Sequence, residues 1–211
     1  MRDSFHIRNA AVEDFHKACS LIYQSSPRDF DFLFSSSQHS PLDFLHYAFQ
    51  KKKDFLSHEV HRVLEKSGEV MGVGAFYSRK NYAVLEKGHE AHVEEFYRQD
   101  AAVIFKREEG LDDYLPLPPS HTLYIANLAI DPPFQHQGAM SFFLSQQFAK
   151  AKAEGFQFCA LDVDTDNFVA QNLYKKLGFE NHGEKSFFFK GKRGLLQNVY
   201  RMVLDLDSSK N

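Results

Sequence analysis

The sequence predicts a mixed α/β fold, in which a central sheet of about seven strands carries helices on both faces. Apolar residues recur at every second position in some segments and at every third or fourth position in others, as strands and helices require. Strand–helix–strand order near the C-terminal end implies parallel pairing, whereas short connections elsewhere imply antiparallel hairpins. The 211 residues, 43% of them hydrophobic, suffice for one domain that buries its own core without disulfides or metals.

The first part of the chain is expected to form a strand, two helices and a hairpin. Residues 5–8 alternate like a strand, and residues 11–23 place apolar side chains on one face of a helix. A second helix starts at Ser40, a capping residue that is followed by proline at the first helical position. Residues 60–65 and 70–78 have the composition of two strands joined by a tight turn.

Residues 79–120 do not continue this pattern and are predicted to be an insertion. Within them, residues 90–106 have a helical apolar side, while residues 108–120 are acidic and then rich in proline, as loops are. Such an acidic run is typical of a solvated surface, although it could also attract a cationic amine by long-range electrostatics.

The remainder of the chain alternates strand and helix, and Gly155 and Gly178 each end a helix. The whole chain, 1–211, is predicted to be one domain with its core in 4–206 and a polar tail in 207–211. The predicted strands are 123–130, 158–163, 187–189 and 199–206, and the predicted helices are 138–154 and 167–177.

The charge balance and the apolar runs argue against several classes of partner. With 25 Lys and Arg against 28 Asp and Glu, the chain lacks the basic excess of a nucleic-acid-binding protein. Its longest apolar run, residues 70–76, is too short to span a membrane, and the N-terminus has no apolar signal-peptide core. Cys19 and Cys159 lie among apolar residues, as reduced core thiols do. A cytoplasmic protein is therefore expected.

A strand, a short turn and a helix meet between residues 128 and 140, and this segment carries the first chemical signal. The first N–H groups of a helix have no intrahelical partner and favour negative charge, so a phosphate can bind there. Gly138 lets the backbone approach such a ligand closely. No Gly-Lys-Ser or Gly-Lys-Thr follows, so the turn is not an ATP-type phosphate loop.

A second segment completes the pattern, with the sequence Asn167-x-x-Ala170-x-x-Leu173-Tyr174-x-x-x-Gly178-Phe179. Paired with the Gln135-x-x-Gly138-x-Met140 turn, it resembles the GCN5-related N-acetyltransferase (GNAT) superfamily, most strongly over residues 121–180. Two positions depart from the family pattern: Gln135 stands where the pattern can have Arg, which removes one cation from the phosphate site, and Met140 stands where it has Gly or Ala.

The resemblance implies a GNAT-like acyltransferase whose co-substrate is acetyl-CoA. It places the pyrophosphate on the turn 135–140 and the pantetheine arm along the strand 127–130, and it makes Tyr174 the proton donor to the departing thiolate. The implied cofactor contacts are Asn127, Leu128, Ala129, Ile130, Gln135, His136, Gln137, Gly138, Ala139, Met140, Asn167 and Tyr174.

The implied acceptor is a primary amine, on a small molecule or a peptide, that attacks directly in a ternary complex. Phe30, Asp31 and Phe32 lie in a segment that borders the acceptor in the resembled family, although packing under the sheet is the commoner use of such residues. Asp162, at a strand end, is a further candidate, and a solvated or capping carboxylate is as typical there. The general base stays open between a water relay, Asp162 and Asp31.

Two alternatives concern the function as a whole. Met140 could crowd the pyrophosphate, so a non-catalytic acyl-CoA-binding regulatory or interaction module with the same fold stays open.

An exposed C-terminal edge strand would permit a homodimer as well as a monomer. No metal is predicted, because His89 and His92 are three residues apart rather than the four of a zinc protease helix, and His58 and His61 lack cysteine partners.

Overall fold

The computed structural model describes residues 5–115, 117–187 and 196–208. Its centre is a seven-stranded sheet in the order β1-β2-β3-β4-β5-β7-β6. The strands are β1 His6–Asn9, β2 His61–Lys66, β3 Glu69–Ser78, β4 Thr122–Ile130, β5 Phe158–Asp164, β6 Glu180–Lys185 and β7 Val199–Asp205. The helices are α1 Phe15–Ser25, α2 Pro27–Phe34, α3 Pro41–Gln50, α4 Arg79–Tyr97, α5 Ala101–Glu108, α6 Leu111–Tyr114, α7 Ala139–Ala153 and α8 Phe168–Lys176.

The sheet is mixed, as predicted. Strands β4 and β5 run parallel, and every other neighbouring pair among the described strands is antiparallel. The parallel pair is the one that needs a crossover, which α7 provides. The sheet therefore joins an N-terminal meander, β1 to β4, to a C-terminal group, β5 to β7.

Helices cover both faces of the sheet, again as predicted. On one face, α1 to α5 pack against side chains such as Val63. On the other face, α7 and α8 pack against the next residue of the same strand, Leu64, because successive side chains point to opposite faces. Cys19 and Cys159 are fully buried, one in each layer, and burial raises the pKa of each thiol to about 12.

The capping signal at Ser40 is confirmed in detail. Its hydroxyl oxygen accepts a hydrogen bond from the Asp43 N–H at 3.3 Å, and its own N–H donates to the Asp43 carboxylate at 2.8 Å. Helix α3 therefore begins with a reciprocal capping box. Helix α2, which starts at Pro27 only two residues after α1 ends, was not predicted.

The predicted insertion is more helical than expected. The helix predicted at 90–106 is wrong in extent. Helix α4 begins at Arg79, and the helical conformation is interrupted at Arg98, whose φ is +51°. The predicted loop contains the short helix α6. Helix α4 lies directly on the segment that follows α3, since a Cβ built on Gly88 would be 1.7 Å from the Lys53 carbonyl oxygen.

A buried ion cluster holds α4 to the same segment. Asp54 is fully buried and accepts hydrogen bonds from His89 at 3.2 Å and from His92 at 2.8 Å, and the other nitrogen of His89 lies 2.9 Å from Glu108. Burial alone would lower the pKa of His89, but the two carboxylates outweigh it and raise that pKa to about 10. The two histidines thus have a structural role.

The edge strand next to β7 differs from its prediction. A strand was expected at 187–189, but β6 is formed by Glu180–Lys185. Residues 188 and 189 lie outside the described residues, and Phe187 is buried against Tyr114 and Phe32, with ring centroids 5.6 Å from each. Phe187 therefore supplies core packing at this end of the sheet.

Candidate active site

A cleft opens where the two parallel strands separate. The ladder between β4 and β5 covers only Thr122–Ile125 against Phe158–Leu161, although both strands continue beyond it. The diverging ends enclose a cleft of about 700 Å³. Along this cleft the backbone groups of residues 126–130 face β5 without a strand partner, so they can bond a ligand instead.

A bulge in β4 shapes the wall of the cleft. The register with β3 shifts between Val73 and Ala75, and Asn127 opposite them has a φ of +53°. The Asn127 amide lies 3.4 Å from Nε2 of His61, whose Nδ1 lies 2.7 Å from the Ser57 carbonyl oxygen. Burial lowers the pKa of His61 to about 4, so its neutral ring can accept from Asn127.

The turn after β4 is held by side-chain amides. Gln135 donates through Nε2 to the Ile130 carbonyl at 2.9 Å, and Gln137 donates to the Pro133 carbonyl at 3.0 Å. Gly138 then takes a φ of +77°, a backbone shape that suits glycine, before α7 begins. Glutamine at position 135 therefore braces the turn through its own hydrogen bond.

The open end of α7 faces the cleft. Residues 138–141 line it, and the first N–H groups of α7 have no partner within the helix. Met140 is half-buried and packs partly against the core, so its side chain does not project wholly into the cleft. Strand backbone along one side and helix N–H groups at one end fit the pantetheine arm and pyrophosphate of acetyl-CoA.

Helix α8 closes the other side of the cleft. The Asn167 side chain caps the helix by accepting from the Ala170 N–H at 3.1 Å. Tyr174 is 7% exposed, packs against Phe179 and lines the cleft. Its hydroxyl has no hydrogen-bond partner among the described residues. Burial raises the pKa of Tyr174 well above its ordinary value, so the hydroxyl keeps its proton.

Asp162 lies in the cleft with both carboxylate oxygens engaged. Arg201 donates to them at 2.7 and 2.8 Å in a two-point ion pair, and the Tyr124 hydroxyl donates to one of them. The Asp162 side chain is only 5% exposed. It joins β4, β5 and β7 at the base of the cleft, which leaves little capacity for accepting a substrate proton.

The predicted acceptor residues on α2 do not line the cleft. Phe30 is buried in the core, Phe32 packs against Phe187, and Asp31 is exposed and accepts from the Tyr23 hydroxyl at 2.9 Å. Residues 24–26, which precede α2, line the cleft in their place. Of the predicted cofactor contacts, all but Gln137 line the cleft.

Two interacting acids were not predicted, and of these Asp164 lines the cleft whereas Asp29 does not. Asp29 is mostly buried on α2, and burial together with the nearby carboxylate of Asp164 raises its pKa to about 7. Neither side chain has a hydrogen bond or ion pair to another described residue. Asp164 lines the cleft and lies two residues after Asp162 on β5. The sequence Asp162-x-Asp164 at a strand end could have indicated Asp164 as a site residue. No neighbouring residue in the sequence indicates such a role for Asp29.

The comparisons with known proteins agree with this geometry. A family model described as the acetyltransferase (GNAT) family matches residues 21–179, most of the chain. The chain belongs to this family. Among curated proteins, a [ribosomal protein bS18]-alanine N-acetyltransferase from Haemophilus ducreyi is 32% identical over 80 residues. Those residues are 38% of this chain and 55% of that protein, so the match spans about half the length of this GNAT relative.

Solved structures share the GNAT fold over almost the whole chain. One, described as an acetyltransferase, has a TM-score of 0.60 at 22% identity and covers 95% of this chain and 99% of its own. A Salmonella typhimurium protein solved with its cofactor acetyl-CoA has a TM-score of 0.56 at 14% identity, covering 99% and 98%. The predicted fold, the predicted acyltransferase class and the predicted co-substrate are thus confirmed at the level of the GNAT family.

Two further findings concern metals and membranes. Within residues 5–115, 117–187 and 196–208, no group of three or more His, Cys, Asp or Glu side chains is arranged to hold a metal ion. In the same ranges, no helix combines the length and the apolar character that crossing a bilayer requires.

Proposed function

We propose that this protein transfers the acetyl group of acetyl-CoA to a cationic primary amine, which attacks directly in a ternary complex. The observation that carries the proposal is the divergence of β4 from β5 after Ile125, which exposes strand backbone beside the turn at 135–140. The Tyr174 hydroxyl lines the same cleft. Strand backbone, helix N–H groups and a protonated hydroxyl together match the parts of an acyl-CoA thioester.

Each of these groups has a defined task. Acetyl-CoA supplies an acetyl group activated as a thioester. N–H groups of residues 126–130 polarise the acetyl carbonyl. Tyr174 gives its proton to the departing sulfur, which as a free thiol has a pKa near 8.5. Because burial holds Tyr174 protonated, the donor is available throughout the physiological pH range.

The acid pair supports a particular class of acceptor. An ammonium group near Asp29 and Asp164 would find two carboxylates that no described residue holds by a hydrogen bond or an ion pair, although the charge of Arg28 favours their ionised forms. A peptide α-amine has a pKa of about 8, whereas a lysine-type amine has one near 10.4. With a pKa of about 7, Asp29 can take the proton of an α-ammonium at a cost of about 1.4 kcal/mol, and that of a lysine-type ammonium at over three times this cost.

We therefore infer that the acceptor is the α-amine of a peptide or protein. The relative whose printed activity is acetylation of an alanine of ribosomal protein bS18 is consistent with this inference. Asp29 then acts as the proton acceptor, and Asp162 and Asp31 do not, because Asp162 is engaged by Arg201 and Asp31 lies at the surface.

The test measures release of the free CoA thiol with purified protein and acetyl-CoA. Three acceptors are compared: a peptide that begins with alanine, the same peptide with a blocked N-terminus, and spermidine. Release with the unblocked peptide alone supports the proposal. Activity on spermidine alone would make the acceptor a polyamine. Acetyl-CoA binding without release on any acceptor would favour the non-catalytic module.

A variant pair tests the proton donor. Tyr174→Phe is expected to lower kcat by tenfold or more while acetyl-CoA binding, measured by calorimetry, changes less than threefold. Tyr200→Phe on β7, outside the cleft lining, is the matched control and should keep wild-type turnover. Unchanged turnover in Tyr174→Phe would remove the proton-donor role and leave the cofactor site standing.

A further inference from the structure

A second cavity lies at the opposite end of α7 from the turn at 135–140. This rear pocket, about 170 Å³, is enclosed by β2, β3, the start of β4 and the C-terminal half of α7. It is separate from the cleft, since the residues that line the two cavities do not overlap. Its polar lining residues include Arg62, Ser78, Asn81, Gln147, Lys150 and Glu154.

Gln147 is the most informative residue of the rear pocket. It is 96% buried, since only 4% of its surface is exposed. Its amide makes no hydrogen bond to any other side chain or backbone group in the described part of the chain. The amide is not one of the fully buried polar atoms without a partner, so it is open to the pocket and can bond a ligand there.

Arg62 gives the pocket its charge. The guanidinium is half-buried, donates to the Asn9 side-chain oxygen at 3.2 Å and lies 5.8 Å from the centre of the Phe76 ring. No carboxylate among the described residues comes within ion-pair distance of it. Burial lowers the pKa of Arg62, but an arginine keeps its charge in proteins. Its hydrogen-bond partner among the described residues is neutral, and Glu154 favours its charge from beyond ion-pair distance, so the half-buried guanidinium keeps donors for an anion.

The other charges of the pocket nearly cancel. Lys150 and Glu154 face each other one turn apart at 3.7 Å, and both are more than two-fifths exposed. Glu154 also acts on Arg62, so the three charged groups of the pocket, Arg62, Lys150 and Glu154, leave one net positive charge. Ser78 and Asn81 add polar atoms at the rim, where the Ser78 N–H already donates to the Asn81 side-chain oxygen at 2.9 Å.

We propose that the rear pocket binds a small oxyanion, a carboxylate or a phosphate. The planar fork of Arg62 pairs with two oxygens at once, and the Gln147 amide N–H groups donate to the same anion. Lys150 adds a mobile positive charge at the entrance. One anion can therefore bond both the Arg62 guanidinium and the Gln147 amide. The proposal does not depend on the acetyl-transfer reaction.

The test is a site-specific titration of the isotope-labelled full-length protein. Sodium phosphate and sodium acetate are added separately at constant ionic strength, and the side-chain resonances of Gln147 and Arg62 are followed. A saturable shift of both with either anion supports the proposal, and the more effective anion identifies the source. No shift with either anion would overturn it, as would shifts confined to the amides of residues 138–141.

Two variants distinguish loss of anion binding at the rear pocket from loss of folding. Arg62→Gln should weaken the anion response of Gln147 at least tenfold, whereas Lys66→Gln, at the end of the same strand, should leave it unchanged. Gln147→Glu is nearly isosteric and puts a carboxylate beside Arg62, so the anion response should disappear and thermal stability should not fall. An anion response that survives both Arg62→Gln and Gln147→Glu would refute the site.

Discussion

Asp29→Asn is expected to make the protein more stable above pH 7, even though it removes the proposed proton acceptor. In the folded chain, burial and the carboxylate of Asp164 raise the pKa of Asp29 from its ordinary 3.8 to about 7. The folded state therefore binds the proton more tightly than the unfolded state. Stability falls as the pH rises from about 4 to about 7, and above pH 7 the whole penalty is present.

The size of the effect follows from the same difference. At 1.36 kcal/mol per pKa unit, the step from 3.8 to about 7 sets an upper limit of about 4 kcal/mol. Solvent screening reduces this to about 1–2 kcal/mol. Asparagine is uncharged at every pH, so Asp29→Asn avoids the penalty. The free energy of unfolding of Asp29→Asn should therefore exceed that of wild type at pH 8 and equal it near pH 4.

Urea unfolding of wild type and variant at pH 4.5 and pH 8 measures the effect. Asp31→Asn, two residues along α2 and exposed, is the matched control and should change stability by less than about 0.5 kcal/mol at either pH. Thioester release by Asp29→Asn should fall at least tenfold at pH 7. If Asp29→Asn is no more stable than wild type at pH 8, Asp29 is not a destabilised carboxylate and the assignment of the base is refuted.

Two further substitutions test the packing around the site. Gly88→Ala should lose about 1–3 kcal/mol in urea unfolding despite the higher helix propensity of alanine, because the new methyl group would meet the Lys53 carbonyl. Ala91→Gly on the exposed side of α4 is the control, with an expected loss of about 1 kcal/mol, and a gain for Gly88→Ala would contradict the close approach. Arg201→Gln should cost about 3–5 kcal/mol, since it leaves the buried Asp162 without its cation, and a loss below 1 kcal/mol in the same assay would show that Asp162 is solvated.

Local chemistry made some elements predictable. The start of helix α3 is predictable because Ser40, Pro41 and Asp43 each favour a helix N-terminus and lie within one turn of one another. The turn at 135–140 and the start of α8 were likewise visible, because a glycine with positive φ and an asparagine cap are requirements of the backbone itself.

Other features depend on contacts that are distant in sequence. Strand β6 is almost entirely exposed, so its sequence lacks the alternation of apolar residues that predicts a strand. The strand was predicted at the neighbouring Phe187 instead, because that segment is apolar. Asp29 and Asp164 are 135 positions apart, and only the folded chain brings their charges together. The same holds for Arg62 and Gln147, which look like ordinary surface residues until α7 packs on the sheet.

The short ladder between β4 and β5 has a mechanical consequence. Four residue pairs, Thr122–Ile125 against Phe158–Leu161, connect a plate built from β1 to β4 with a plate built from β5 to β7. The antiparallel ladders on either side, β3 with β4 and β5 with β7, are longer, so we expect bending of the sheet to concentrate at this seam. A ligand that contacts both plates restrains their relative bending, so ligand binding in the cleft should also make the sheet more rigid.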